Sequence, residues 1–193
     1  FEIFDGVHPN PIEADVEAGA AFYNEHGCDG LLALGGGSAM DVAKVIRFFA
    51  SHPPPLAQYS VLENGGAKIT GTLPPFYAVP TTAGTGSEVG RGAVITVRDT
   101  GRKTLFVSPP LMPTIAVLEP ALTAGLPPHL TAATGIDAFT HCLESYLAPV
   151  YHPMADGVAL EGIRLCLAHL NTAVADGQNL DARAQMQMAA SMG

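Results

Sequence analysis

A glycine-rich loop between an apolar run and a helical pattern constrains the fold of this chain more than any other stretch. The run Gly30–Leu34 is continuously apolar, which predicts a strand buried on both faces of a parallel sheet. It leads into Gly35-Gly-Gly-Ser38, where three glycines let the backbone approach a ligand. Ser38 and Asp41 form an S-x-x-D pattern, which predicts a capping box at the start of a helix running to about Ser51. Strand, loop and helix N-terminus together predict a phosphate cradle, although capping is at least as good a role for Asp41 as ligand contact.

A second loop of the same kind follows a second predicted strand, Pro75–Pro80. This loop, Thr81–Glu88, is rich in hydroxyl groups and glycines. Ligands of open α/β sheets bind at the carboxyl ends of the strands, so hydroxyls and backbone N–H groups there suit a pyrophosphate or a ribose. An ordinary Ser/Thr turn is the alternative, and two such loops after two strands favour the ligand site.

The remaining elements of the first part are predicted from local patterns. Phe1–Phe4 alternates like a short strand, and Ile12–Gly27 has the periodicity of an amphipathic helix. Ala93–Val97 and Lys103–Val107 predict a hairpin, and Thr114–Leu118 predicts another buried strand. Lys44, in the helix after the glycine loop, is expected to lie on the helix surface.

Helical periodicity replaces strands from about residue 119, which predicts an α/β domain over 1–119 and a helical domain over 120–193. In the helical part, Asp137 and His141 are one turn apart and share a helix face. A carboxylate oxygen and a neutral imidazole nitrogen are suitable ligands for a divalent transition metal. A solvated or capping pair is the commoner arrangement at this spacing, and two ligands do not complete a catalytic metal site.

Composition excludes several classes of protein. Of 193 residues 48% are hydrophobic, which indicates a folded chain with an ample core. The net charge of -9 argues against binding to nucleic acid or to an anionic membrane surface, and no apolar run reaches membrane-spanning length. Three scattered cysteines without a C-x-x-C pattern predict neither a disulfide framework nor a thiolate zinc site, which fits the cytoplasm.

Three motifs taken together resemble a known family. Gly35-Gly-Gly-Ser-x-x-Asp-x-Ala-Lys44, Pro80-Thr-Thr-Ala-Gly-Thr-Gly-Ser-Glu88 and Gly135-x-Asp-Ala-x-Thr-His-x-x-Glu144 resemble, in order, the motifs of the iron-containing (group III) alcohol dehydrogenases. The resemblance implies a Rossmann-like, dehydroquinate synthase-like α/β nucleotide-binding domain followed by an all-helical domain, both truncated. It implies that Asp137 and His141 are metal ligands at the catalytic centre. It also implies cofactor-binding roles for Asn10, Gly36, Gly37, Ser38, Asp41, Thr81, Thr82, Thr85, Val94, Lys103 and Leu122.

The activity implied by the resemblance is metal-dependent hydride transfer between a primary or secondary alcohol and NAD or NADP. Iron(II), or alternatively zinc(II), would act as the Lewis acid on the alcohol oxygen. The expected partners are a small alcohol or aldehyde and further copies of the chain.

Two features of the family are missing from this sequence. The family's earlier β-α-β segment, which helps to select NAD or NADP, and its last two metal-ligating histidines have no counterpart here. The chain is therefore expected to be the middle half of such an enzyme and to be inactive in isolation. A dehydroquinate synthase-like lyase and an inactive nucleotide-binding fragment are the alternatives. The lyase would need a set of basic residues to bind phosphate in the substrate cleft, and the whole chain has only nine Lys and Arg residues.

Overall fold

The computed structural model describes all 193 residues and divides into two compact units. The first, called here the α/β unit, contains Phe1–Ala78 and Ser87–Ala116. The second, called the helical unit, contains Val79–Gly86 and Val117–Gly193. The segment between the two stretches of the α/β unit therefore belongs to the helical unit. A division into domains at residue 120 stays a prediction.

Two helices and five strands form the framework of the α/β unit. They are α1 (Glu13–Glu25), β1 (Leu31–Gly35), α2 (Gly37–Phe49), β2 (Phe76–Pro80), β3 (Gly92–Val97), β4 (Arg102–Val107) and β5 (Ile115–Ala116). The last two residues of β2, Val79 and Pro80, are assigned to the helical unit. One sheet has the order β1-β2-β5, and its β2 and β5 are parallel with Tyr77 opposite Ile115. The predicted hairpin is confirmed as the antiparallel pair β3 and β4, whose turn contains Gly101 at a φ of 61°. A parallel sheet with helices confirms the predicted α/β class.

Helix α2 is the central element of this unit because it is apolar on nearly all sides. Val42, Val45 and Phe48 are buried in one core cluster, and Met40 and Ala43 are buried in another under the sheet. A helix that is apolar all round is expected to be surrounded by other elements. This burial fixes the position of the glycine loop, which enters α2 directly.

Three sequence predictions about strands were wrong. Phe1–Phe4 forms no strand, since it pairs with no other strand and Phe1 and Ile3 are exposed. Thr114–Leu118 contributes only the two residues of β5 and is not a buried strand, since Ile115 and Val117 are exposed. Strand β1 is not buried on both faces: Leu32 and Leu34 are 65% and 58% exposed.

Three helices form most of the helical unit: α3 (Pro128–Leu147), α4 (Pro153–Ala175) and α5 (Leu180–Ala190). A side chain added at Gly135 would overlap Leu170, and one added at Gly162 would overlap Cys142. Small residues thus let α3 and α4 approach closely, and the buried residues of α3 form one stripe. That stripe contains Thr131, Gly135, Ala138 and Cys142.

Helix α4 is long and apolar enough to cross a membrane by length and composition, with a mean hydropathy of 1.2 over its best window. This is an exception to the expectation that no stretch reaches membrane-spanning length. Of that window 28% is buried inside the unit, and the buried residues of α4 include Ala159, Gly162 and Leu165. Length and apolar composition are therefore weak evidence for a membrane span here.

Candidate functional site

The N-terminus of α2 has the properties of an anion site. The helix begins at Gly37 with Gly36 as its N-cap, and no side chain caps it. The predicted capping box of Ser38 and Asp41 was therefore wrong. Because the first N–H groups of a helix lack internal partners and carry a partial positive charge, an uncapped N-terminus suits a phosphate.

Asp41 is used differently from the prediction. One of its carboxylate oxygens, Oδ1, accepts a hydrogen bond from the Ser87 hydroxyl at 2.9 Å. The other, Oδ2, accepts one from the backbone N–H of Val94 at 2.8 Å. Burial raises the pKa of Asp41, and this outweighs the opposing effect of those hydrogen bonds and of Lys44. Asp41 thus joins the helix that follows the glycine loop to strand β3, which carries the predicted cofactor residue Val94.

Lys44 completes this network and does not lie on the helix surface. Its side chain is fully buried, and its ammonium group donates to the Ser87 hydroxyl at 2.7 Å and to the Gly92 carbonyl at 2.9 Å. Burial lowers the pKa of Lys44 to about 8, although the charges of Asp41 and Glu88 act to raise it. Sequence reasoning missed both Lys44 and Ser87. The sequence did contain a signal for Lys44, which is the single lysine among the apolar residues of α2. A surface lysine normally lies on a polar helix face, and α2 is apolar on nearly all sides.

Asn10 and Lys103 form a second contact between predicted cofactor residues. The ammonium group of Lys103 donates to the Asn10 side-chain oxygen at 2.7 Å. Asn10 has a φ of 58°, a left-handed conformation that costs energy for a residue other than glycine. The loop is held in place by the Thr96 N–H, which donates to the Pro11 carbonyl at 2.8 Å. A polar side chain in a strained, anchored loop is typical of a binding site.

Asp15 anchors the other end of the same loop. It accepts hydrogen bonds from the His8 ring at 2.7 Å and from the backbone N–H of Ile12 at 3.1 Å. Burial acts to raise the pKa of Asp15, but the hydrogen bonds from His8 and Ile12 outweigh it, so the pKa lies below its ordinary value. The loop that carries Asn10 is therefore fixed before any ligand binds.

Residues 81–86 of the hydroxyl-rich loop after β2 belong to the helical unit, and Ser87 and Glu88 belong to the α/β unit. Thr81 and Thr82 are half-buried and Thr85 is exposed. The glycines of this loop serve close packing: a Cβ at Gly84 would lie 2.9 Å from Thr134 of α3, and one at Gly86 would lie 2.5 Å from the Ala190 carbonyl of α5. Leu122, also predicted to line the cofactor groove, lies in a short 3-10 turn of this unit and is 42% exposed.

Asp137 and His141 are on one face of α3, as their spacing predicts. The Asp137 carboxylate and the His141 ring nitrogen Nε2 are 3.7 Å apart, and the two side chains are 43% and 37% exposed. An oxygen and a nitrogen ligand at that separation fit one divalent transition metal, and partial exposure leaves room for it. No group of three or more His, Cys, Asp or Glu residues that could hold a metal occurs in the chain. Asp137 and His141 alone do not make a complete catalytic metal site, which takes about three protein ligands.

The structure brings the predicted residues together in separate groups. Within the α/β unit, Asp41 contacts Val94, and Asn10 contacts Lys103. Within the helical unit, Asp137 lies beside His141. The chain therefore has two parts, each with one predicted ligand site. The α/β unit has an uncapped helix N-terminus, and the helical unit has a carboxylate–imidazole pair.

Comparison with known proteins identifies the family. The profile of the iron-containing alcohol dehydrogenases matches residues 1–120, and that of the C-terminal part of the Fe-containing alcohol dehydrogenase family matches residues 131–193. The chain belongs to the iron-containing alcohol dehydrogenase family.

Individual relatives agree with this assignment. The chain is 51% identical over 191 residues to a 4-hydroxybutyrate dehydrogenase of Cupriavidus necator, covering 99% of this chain and 50% of the relative. It is 43% identical to a 1,3-propanediol dehydrogenase of Klebsiella pneumoniae, and the match covers 97% of this chain and 47% of the relative. The chain thus spans about half the length of the curated relatives it matches.

Solved structures show the same fold. A crystal structure of a 1,3-propanediol oxidoreductase superposes with a TM-score of 0.93 at 42% identity, covering 99% of this chain and 49% of that one. A sulfoacetaldehyde reductase from Bifidobacterium kashiwanohense in complex with NAD+ gives a TM-score of 0.89 at 34% identity, covering 100% and 50%. These likenesses confirm the predicted family and fold class.

Proposed function

We propose that the protein containing this chain is an NAD(P)-dependent, metal-assisted oxidoreductase that interconverts a small alcohol and its aldehyde or ketone. The observation that carries the proposal is the convergence of Asp137 and His141 on one half-exposed helix face. Such a pair has little structural purpose of its own, because an exposed carboxylate–imidazole contact contributes under about 1 kcal/mol to folding.

The proposed roles of the residues follow from their positions. The uncapped N-terminus of α2, at Gly36, Gly37 and Ser38, binds the dinucleotide phosphates through backbone N–H groups. Asn10 and Lys103 offer an amide and an ammonium group to the remaining polar parts of the cofactor. Thr81, Thr82, Thr85 and Leu122 are assigned to the cofactor on the family resemblance.

Asp137 and His141 would hold iron(II) or zinc(II). The metal would supply Lewis acidity at the alcohol oxygen, and the nicotinamide would accept the hydride. Asp137 contributes negative charge to the cation, and His141 must be neutral to bind it. Neither residue is proposed to transfer a proton.

The substrate class is proposed from the relatives. Those named for 4-hydroxybutyrate and 1,3-propanediol act on short primary alcohols that carry a second polar group. We assign the same class to this protein, and we retain the expectations of a cytoplasmic, self-associating protein that binds neither nucleic acid nor membrane. The dehydrogenase names of the relatives favour the oxidoreductase over the lyase.

The test combines cofactor binding, metal binding and turnover. NADH and NADPH binding are followed by fluorescence, iron(II) and zinc(II) binding by calorimetry, and oxidation of 1,3-propanediol and 4-hydroxybutyrate by formation of the reduced cofactor. Asp137→Ala and His141→Ala are expected to weaken metal binding and turnover at least tenfold while leaving NADH affinity unchanged. His129→Ala, an exposed histidine in the first turn of the same helix, is the matched control.

The possible results separate two functions. Metal-dependent turnover that is lost in both variants supports the dehydrogenase. NADH binding with no metal binding at Asp137 and His141 would show a nucleotide-binding protein without this chemistry.

A further inference from the structure

We propose that Lys44 is a positioning residue of the dinucleotide site, whose buried ammonium group offsets the charge of Asp41 and so keeps the N-terminus of α2 attractive to cofactor phosphates. The inference rests on the proposed function and deepens it. Lys44 is fully buried, so it contacts no ligand and acts only through its neighbours.

The need for a positive charge follows from the place of Asp41. This carboxylate is four residues after Gly37, or about 6 Å along the axis from the start of α2. Both of its oxygens accept hydrogen bonds, as expected of an ionised group. An uncompensated negative charge at that distance repels phosphate and opposes the helix dipole.

Lys44 supplies the compensation through a defined set of contacts. The Ser87 hydroxyl accepts from Lys44 at 2.7 Å and donates to Asp41 at 2.9 Å, so it bridges the two charges. The charged groups facing Lys44 are Asp41 from α2 and Glu88 from the turn Ser87–Val89, and β3 offers the Gly92 carbonyl. Loss of the lysine charge therefore removes a positive charge that faces half-buried Asp41 and buried Glu88.

The contacts and the charge can be separated experimentally. A neutral amine still has two N–H groups for Ser87 and Gly92, so the geometry survives deprotonation while the charge is lost. Burial brings the pKa of Lys44 to about 8, which places this change in an accessible range. Cofactor affinity should therefore fall between pH 7 and 9.5 without loss of the fold.

The experiment measures NADH affinity of the wild type and three variants at pH 7 and 9.5, with circular dichroism to monitor folding. Lys44→Met is expected to weaken NADH binding about tenfold at pH 7 and to abolish the pH dependence. The double variant Asp41→Asn/Lys44→Met removes both charges and is expected to recover most of the lost affinity. Lys68→Met, which neutralises an exposed lysine of the 3-10 segment Gly65–Lys68, should bind like the wild type.

Each outcome decides a different question. A double variant that binds no better than Lys44→Met would overturn the inference, because a loss caused by packing alone is not rescued by removing the opposite charge. If Lys44→Met does not fold, the wild-type pH profile decides, and a constant affinity from pH 7 to 9.5 overturns the inference. Absence of NADH binding by the wild type would overturn the proposed function as well, whereas unchanged binding by Lys44→Met overturns the inference alone.

Discussion

In the α/β unit, half-buried Asp41 and fully buried Lys44 are joined through Ser87, whereas Asp137 and His141 of the helical unit are 43% and 37% exposed and lie 3.7 Å apart. In the first case, groups of the chain itself supply the hydrogen-bond partners of both charged side chains, so the network forms without a ligand. In the second the two half-exposed side chains are 3.7 Å apart, which is beyond hydrogen-bonding distance. The difference teaches that the hydrogen bonds around the proposed phosphate site form on folding, whereas the proposed metal ligands are left with partly exposed side chains.

Matched aspartate substitutions give the largest expected effect on this comparison. Asp41→Ala removes one of the two carboxylates that face buried Lys44 and leaves the Val94 N–H without its acceptor, so we expect it to lower the free energy of unfolding by about 1 to 3 kcal/mol. Asp137→Ala removes a half-exposed group and should change it by less than about 0.5 kcal/mol. Urea unfolding of the apo proteins measures both. Equal losses in the two variants would contradict the proposed contrast.

Alkaline pH is expected to affect the two units in opposite directions. The pKa of Lys44 falls from 10.5 to about 8 on folding, so between these two pH values the unfolded chain binds more protons than the folded chain. The free energy of unfolding therefore rises with pH over this range, by at most about 3 kcal/mol. In the helical unit, burial and the nearby Cys142 raise the pKa of Cys166 from 9.0 to about 11. Here the folded chain holds the extra proton, and the free energy of unfolding falls as pH rises from 9 to 11.

Single substitutions separate these two contributions. Unfolding is measured from pH 7 to 11 for the wild type, Lys44→Met and Cys166→Ala. Lys44→Met should lose the rise that begins near pH 8, and Cys166→Ala should lose part of the fall that begins near pH 9. Identical pH slopes in all three proteins would show that neither group titrates as its burial implies.

Substitution of Gln187 gives the smallest expected effect. It tests whether every buried polar atom of the helical unit has a hydrogen-bond partner. This glutamine is 1% exposed; its amide nitrogen donates to the Pro80 carbonyl at 3.4 Å, and its side-chain oxygen has no partner. An unpaired buried acceptor costs about 1 to 3 kcal/mol, so Gln187→Met should be neutral or stabilising by up to about 1 kcal/mol. Thermal unfolding checks this, and a loss above 1 kcal/mol would show that Gln187 has a partner it needs.

Much of the chain could be predicted from local patterns. The glycine loop before α2 and the hairpin of β3 and β4 follow from turn residues and periodicity, and the structure has them at nearly the predicted places. The helical periodicity from about residue 119 is likewise seen in α3, α4 and α5. The Asp137–His141 contact also follows, because one helical turn fixes which side chains are neighbours. Family membership came from motif order along the whole chain, which local physics alone does not supply.

The sequence by itself determined the family, the α/β class and the placement of Asp137 and His141 on one helix face, because each depends on residues close together in the chain or on their order. Only the tertiary structure decided that Asp41 holds strand β3 and that Lys44 is buried against Ser87, since these partners are more than 40 residues apart. It also decided that the glycines at 84 and 86 serve packing against α3 and α5. The physical reason is that burial and hydrogen-bond partners are properties of the folded neighbourhood, and no short stretch of sequence contains both partners.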